Sequence, residues 1–375
     1  MARLDSFCTI NMGQSPDSST YNENKNGIPF FQGNADFGEI YPTVRMWCSK
    51  PTKIAHEGDI LISVRAPIGA LNFANCECCI GRGLASLKAN DARCIQKYLW
   101  HALENKVGEL NAKGTGSTFK AISKSVLSET EIPLPSLEEQ RKIAAVLDKV
   151  SDLITKRRQQ LEQLDLLVKA RFVEMFGTFP TNEKNWNVGK IRDVINEAKY
   201  GSSRPAVEGG QYPYLRMNNI TYSGELDLSD IKQIDVPESE LPKCTVQQGD
   251  VLFNRTNSKE LVGKTCVYDR DEMMVLAGFV IRVRVNERVF PEFLSEFLNT
   301  DFSKQMLLGM CKTAIGQANI NAQEMQNIGI YIPPIELQKE FVDFRNEIRK
   351  TKDIISQSFG KLETLKKVLM QEYFG

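Results

Sequence analysis

Residues 136–177 read SLEEQRKIAAVLDKVSDLITKRRQQLEQLDLLVKARFVEMFG. From Ser136 to Phe176 there is neither Pro nor Gly. Ser136 with Glu139 fits a capping box, and Gly177 stands where a helix would end. At about 1.5 Å per residue such a helix spans on the order of 60 Å, longer than a small domain is wide. Its apolar positions alternate in steps of four and three, at Ile143, Leu147, Val150, Ile154, Leu161, Leu164, Val168 and Met175, with Arg157 and Arg171 interrupting the stripe. That spacing predicts a coiled-coil seam; a helix buried on a domain would carry a wider apolar face.

The end of this stretch, Glu174-Met175-Phe176-Gly177, returns as Glu372-Tyr373-Phe374-Gly375, at an offset of 198 residues. The same offset carries Ile122 onto Ile320, Pro135 onto Pro333, Glu138 onto Glu336, Gln140 onto Gln338 and Leu164 onto Leu362. Upstream the register drifts, as it would through loops of unequal length. Gly58-Asp59-Ile60-Leu61 matches Gly249-Asp250-Val251-Leu252, Ile28 to Phe31 resembles Tyr212 to Leu215, and Asp5 with Gly13 parallels Asp193 with Gly201. The chain therefore reads as a tandem duplication. Its second seam uses Phe344, Ile348, Ile355, Leu362, Leu365 and Leu369, and carries Lys352 and Lys366 where the first helix has Ile154 and Val168. Two seams in one chain are expected to pack on each other, antiparallel if a pseudo-two-fold axis relates the halves.

Before each helix lie short β-rich runs bounded by Gly, Pro and Asn, such as 59–64, 83–87, 251–253 and 279–285, followed by helices expected over 95–104 and 291–298. The Pro-rich entries Ile132 to Pro135 and Ile332 to Pro334 then launch the long helices. The fold expected is α+β, with two pseudo-symmetric β-rich domains separated by two long antiparallel coiled-coil helices. The boundaries are a first domain over 1–135, a helix over 136–177, a second domain over 178–334 and a helix over 335–375.

With 375 residues, two domains are the natural division. Lys+Arg and Asp+Glu number 47 each, so there is no global field, and any nucleic-acid surface must come from local clustering. The longest apolar run, Met273 to Ile281, is far short of the roughly 20 residues a bilayer requires. The first residues lack the apolar core of a signal peptide, and nine cysteines without framework spacing read as reduced thiols, so a cytoplasmic location is expected.

Catalytic machinery is sparse. The only histidines, His56 and His101, read as surface or satisfied residues, and no Gly-x-Ser-x-Gly elbow exists. Gly263-Lys264-Thr265 ends like a phosphate loop, but Ser258 occupies the position where that motif needs Gly. Asp17, Glu23 and Lys25 mimic a nuclease signature at too tight a spacing, in surroundings that read as a polar loop. The tetrapeptides that mark amino-methyltransferases are missing. Cys76-x-x-Cys79 is half a zinc site without a second half, and these thiols fit core packing better.

Two β-rich halves alternating with two long helices, entered through Pro and left through Phe-Gly, form a specific constellation. The chain resembles the specificity subunit of type I restriction-modification systems. The likeness rests on the two Gly-Asp-Ile/Val-Leu segments, on Gly114 to Lys120, on Ile132-Pro-Leu-Pro-x-x-Glu-Glu-Gln-Arg-Lys-Ile143, and on Lys169 to Gly177. The second half departs from the pattern, with Lys312 to Ile320 replacing the Gly-Ser-Thr-x-x-Lys type of loop.

The resemblance implies two target-recognition domains, each reading half of an asymmetric, bipartite double-stranded DNA site. It also implies helices that act as spacer and dock two methyltransferase subunits and, through them, restriction/translocase subunits. No catalysis or cofactor is expected in this chain; S-adenosylmethionine, ATP and Mg2+ belong to the partners. Two readers on a rigid spacer would contact half-sites about one helical turn, roughly 34 Å, apart. Competing readings are a coiled-coil scaffold that binds only proteins, and a metal-dependent nuclease.

DNA contacts are expected from polar and basic residues on loops beside the strands. The candidates are Arg65, Arg82, Lys113, Ser117, Thr118 and Lys120 in the first half. In the second they are Arg216, Asn218, Asn219, Asn254, Arg255, Lys312, Gln317 and Asn319. Phe30, Phe31, Tyr212 and Tyr214 are expected in the core rather than stacked on bases. The charged break at Lys156, Arg157, Arg158, Gln159 and Gln160 is either a solvated turn of the helix or a contact to methyltransferase or spacer DNA.

Overall fold

The computed structural model describes residues 1–116, 120–314 and 317–375, without the side chains of 312–314 and 317. The chain forms two compact units, one of residues 1–158 with 357–375 and the other of residues 159–356. Each long helix therefore begins in one unit and ends in the other.

In the first unit, four antiparallel strands lie in the order Cys8–Met12, Leu84–Ala89, Ile60–Ser63, Leu71–Phe73. A second sheet runs Tyr21–Asn22, Trp47–Cys48, Ile28–Phe31, Cys78–Ile80, Ile54–Ala55, and pairs Ile28–Phe31 in parallel with Cys78–Ile80. Ile60–Ser63 and Cys78–Ile80 are buried throughout, so they read as continuous small or apolar runs rather than alternating ones. The helix Gln96–Ala112 is longer than its expected span. It buries Tyr98, Leu99, Ala102, Leu103 and Leu110, the three-to-four spacing of one core-facing stripe.

The second unit repeats this design. Its main sheet runs Ile195–Tyr200, Val280–Val285, Val251–Asn254, Thr265–Val267, again antiparallel. Its other sheet runs Lys232–Ile234, Tyr212–Leu215, Met274–Leu276, Thr245–Val246, and Tyr212–Leu215 is again parallel to its neighbour Met274–Leu276. The repeated Gly-Asp has a local cause. Gly58 and Gly249 take φ of +83° and +89°, a region costly for other residues. The following carboxylates close the turns, Asp59 accepting the His56 N–H at 3.1 Å and Asp250 the Gln247 N–H at 2.9 Å.

The long helices span Leu137–Phe176 and Ile335–Phe374. Ser136 caps the first by accepting the Glu139 N–H at 3.3 Å, and Gly177 ends it at φ +78°. In the first unit Ile143, Ala144 and Leu147 share a core with Met370 and Phe374, while Arg158 lies 5.9 Å from the Phe359 ring centre. In the second, Phe172 meets Phe341 at 5.2 Å, Arg171 lies over Phe344, and Asp165 pairs with Lys352. One residue number rises as its partner's falls, so the packing is antiparallel.

Val150 is buried and Ile154, Leu161, Leu164, Val168, Phe344, Ile348, Ile355, Leu362 and Leu369 are half-buried along this seam. Leu365 is a correction: it is 44% exposed. The steps of four and three that join Leu362 to Leu369 pass through Lys366, which is half-buried and whose amine reaches Glu104 at 3.1 Å. Among the described residues no helix is long and apolar enough to cross a membrane.

Candidate nucleic-acid interface

In the first unit a concavity is lined by Gln32, Asn34, Asp36, Ser63, Arg65 and Arg82. Three separate segments build it. The short turn after Ile28–Phe31 is tied by Asp36, which accepts the Gln32 N–H at 2.8 Å. Arg65 follows the inner strand. Arg82 sits exposed between Gly81 and Gly83, and a Cβ on Gly83 would come within 2.5 Å of the Gln32 carbonyl oxygen. Glycine there lets the Arg82 turn press against the turn of Gln32.

The segment before the first long helix lies alongside, because Ala121 bridges both Arg65 and Thr115, and Ala66 donates to the Lys120 carbonyl at 3.0 Å. Arg65, Arg82 and Lys120 are all exposed. Lys113 is engaged elsewhere, in a 2.6 Å ion pair with Glu109. Hydrogen bonds from Lys113 and Lys106 hold that carboxyl below the usual range. Ser117 and Thr118 lie outside the described residues.

The second unit has a concavity at the equivalent place, lined by Arg204, Arg216, Met217, Asn218, Arg255 and Phe279 among others. Arg255 lies 4.8 Å from the Tyr200 ring centre and donates to Asn319 Oδ1 at 3.0 Å. Arg216 donates to the Asp230 carboxylate at 2.8 Å and to its carbonyl at 2.9 Å. Arg216, and then Lys232, hold the Asp230 carboxyl below its ordinary value. Asn218 and Asn319 are exposed. Lys312 and Gln317 belong to the strands Lys312–Ala314 and Gln317–Asn319, which pair with each other, and the latter with Thr256–Asn257. The side chains of Lys312 and Gln317 lie outside the described residues.

Two candidates are corrected by burial. Asn219 accepts the Arg216 N–H at 2.9 Å and donates to the Asp227 carbonyl at 2.8 Å. Asn254 donates to the Leu261 carbonyl at 3.3 Å. Both are buried, so they shape turns and present nothing to a ligand. Gln32, Asn34, Arg204 and Phe279 were not singled out from the sequence. The available signal was position: each follows or precedes a short apolar strand at a turn.

Backbone contacts fix the equivalence of the two concavities. Val64 donates to the Gly83 carbonyl at 2.9 Å as Arg255 donates to that of Phe279 at 3.0 Å. Ile122 donates to the Val64 carbonyl as Ile320 does to that of Arg255, both at 2.9 Å. The scaffold is thus common and the side chains on it differ: Val64 against Arg255, Gly83 against Phe279. Ile320 thus takes the place of Ile122, although the segments that precede the two differ in sequence.

The other motifs have structural roles. Phe30, Phe31 and Tyr214 are buried, and the Tyr214 hydroxyl donates to the carbonyls of Ser202 and Arg204. His101 is buried with its ring nitrogens 3.0 Å from Glu104 and 2.9 Å from Asp148, whereas His56 is exposed beside Glu77. Lys264 is buried and gives its amine to the carbonyls of Met217 and Ile220, so it braces the turn carrying Asn218 rather than a phosphate. Asp17 caps its own turn at the Ser19 N–H, and Lys25 lies over Trp47. Cys78 and Cys79 are buried, and burial pushes the Cys78 thiol up to about 12. Among the described residues no group of three or more His, Cys, Asp or Glu could hold a metal.

Residues 1–163 and 183–364 match the family described as the type I restriction modification DNA specificity domain. The MjaX specificity subunit of Methanocaldococcus jannaschii is 44% identical over 161 residues, covering 43% of this chain and 38% of that one. The EcoKI specificity subunit of Escherichia coli K12 is 26% identical, covering 64% of this chain and 54% of that one. This chain thus spans about four-tenths to half of the length of these two relatives. The EcoBI specificity subunit of Escherichia coli is 21% identical over 90% of this chain and 77% of its own length. In fold, the chain is similar over its whole length to the type I S subunit from M. genitalium, with a TM-score of 0.59 at 15% identity and 95% of that chain covered. A chain solved in a study of type I restriction-modification complex assembly and conformational transition gives 0.57 at 17% identity, covering 99% of this chain and 96% of that one.

Proposed function

The chain belongs to the type I restriction-modification DNA specificity family, and from that membership we propose that it reads an asymmetric, two-part site on double-stranded DNA and performs no covalent step itself. The single observation behind this reading is the pair of equivalent concavities with unlike side chains. Arg65, Arg82 and Gln32 line one; Arg216, Arg255 and Asn218 line the other. Arginine suits guanine edges and phosphates, while glutamine and asparagine suit adenine. One scaffold carrying two residue sets gives two half-sites of different sequence.

On this reading the long helices dock two methyltransferase subunits and, through them, restriction/translocase subunits. The partners supply S-adenosylmethionine, ATP and Mg2+ chemistry. The test is exchange of residues 1–135 for those of a relative, followed by long-read methylome sequencing of a host carrying the partner subunits. The expected outcome is a new first half-motif with the second unchanged. Change in both halves, or methylation independent of this chain, would overturn the proposal.

A further inference from the structure

Phe279 is out of place for a globular surface. It is 53% exposed, yet it lines a concavity instead of standing alone, and Tyr200 nearby is 43% exposed. A large apolar ring exposed inside a concavity, with a second exposed ring beside its Arg255, marks a contact surface. The counterpart of Phe279 in the first unit is Gly83, whose missing side chain lets two turns close. The second unit therefore replaces a closed backbone contact with an aromatic face between Arg216, Asn218 and Arg255.

The flanking groups restrict what this face can meet. Arg255, whose guanidinium donates to the neutral Asn319, favours an anionic or acceptor-rich partner, and the exposed aromatic ring favours an apolar group within the same ligand. A base pair in the major groove offers one such combination: the thymine 5-methyl beside the O6 and N7 acceptors of guanine. We infer that Phe279 receives a thymine methyl of the half-site read by the second unit, with Arg255 or Arg216 on an adjacent guanine. This rests on the DNA-reading function proposed above.

The test begins by selecting a consensus from random duplexes with the complex of the full chain and its methyltransferase subunits. The half-site of the second unit is the one that Arg255→Ala degrades. Each thymidine of that half-site is then replaced by deoxyuridine, which removes only the methyl. One position is expected to bind about fourfold more weakly, the equivalent of one buried methyl, and Phe279→Ala is expected to bind both duplexes equally. A half-site without thymine, deoxyuridine tolerated at every position, or discrimination that persists in Phe279→Ala would overturn the inference. A complex that selects no consensus at all overturns the DNA-reading function instead. The deoxyuridine series uses the unaltered protein, so its result stands however the variant folds.

Discussion

Gln338 stands to Phe290 as Gln140 stands to Ile95: each glutamine accepts the other residue's N–H, at 3.0 Å and 2.9 Å. Gln140 also donates to the carbonyls of Arg93 and Pro135, and Gln338 to those of Arg288 and Pro333. Both side chains are fully buried. Each fastens the start of a long helix to the chain that enters the neighbouring short helix.

Replacement of either glutamine by leucine leaves one N–H and two carbonyls without partners. Gln140→Leu and Gln338→Leu are each expected to lower unfolding stability by about 2 kcal/mol, measured by denaturant titration. A loss under 0.5 kcal/mol would show that these groups find other partners.

The seam predicts a contrast between near neighbours. Leu362→Ala is expected to cost about 1–2 kcal/mol and Leu365→Ala under 0.5 kcal/mol, because Leu362 is half-buried and Leu365 faces solvent. Thermal melts of the two variants check the register directly.

Acid should weaken the first unit through Glu104 and Asp148. Burial pushes both carboxyls up, but His101 and Lys366 around Glu104, and Lys97 and His101 around Asp148, outweigh it and hold both below their ordinary values of 4.5 and 3.8. Carboxyls so depressed stabilise the fold above those values and lose the effect as pH falls through the folded pKa. Glu104→Gln should therefore be less stable than wild type at pH 7, with the gap closing below about pH 4. Stability measured against pH for both proteins tests this.

Alkali should act oppositely through Lys304. Burial, with Lys169 and Lys264 nearby, lowers its amine to about 7. Between that value and its ordinary 10.5 the unfolded chain holds a proton that the folded chain does not, so stability rises with pH across this window. Lys304→Met should remove that rise, as read from unfolding free energies at pH 6 and pH 9.

Arg255 and Asn254 are adjacent and should behave differently. Arg255→Ala is expected to weaken DNA binding by about 1–3 kcal/mol at one half-site, with under about 1 kcal/mol of stability lost through its contacts to Tyr200 and Asn319. Asn254→Ala should lower stability by about 1–2 kcal/mol through its buried amide. Binding titrations and melts on the same samples separate the two.

The duplication, the capping at Ser136, the helix end at Gly177 and the steps of four and three were written in local order, because helix periodicity and turn chemistry depend on residues within one or two turns. Residue type alone misassigned the seam at Leu365, since the hydrocarbon stem of Lys366 can lie along a helix pair as well as a leucine can. It also misassigned Asn219 and Asn254, because an asparagine that closes a turn and one that faces a ligand look alike in sequence. The concavities were beyond local reading altogether. Gln32, Arg65 and Arg82 meet, as do Asn218, Arg255 and Phe279, only after strands distant in sequence pair and carry three separate turns to one side of a sheet.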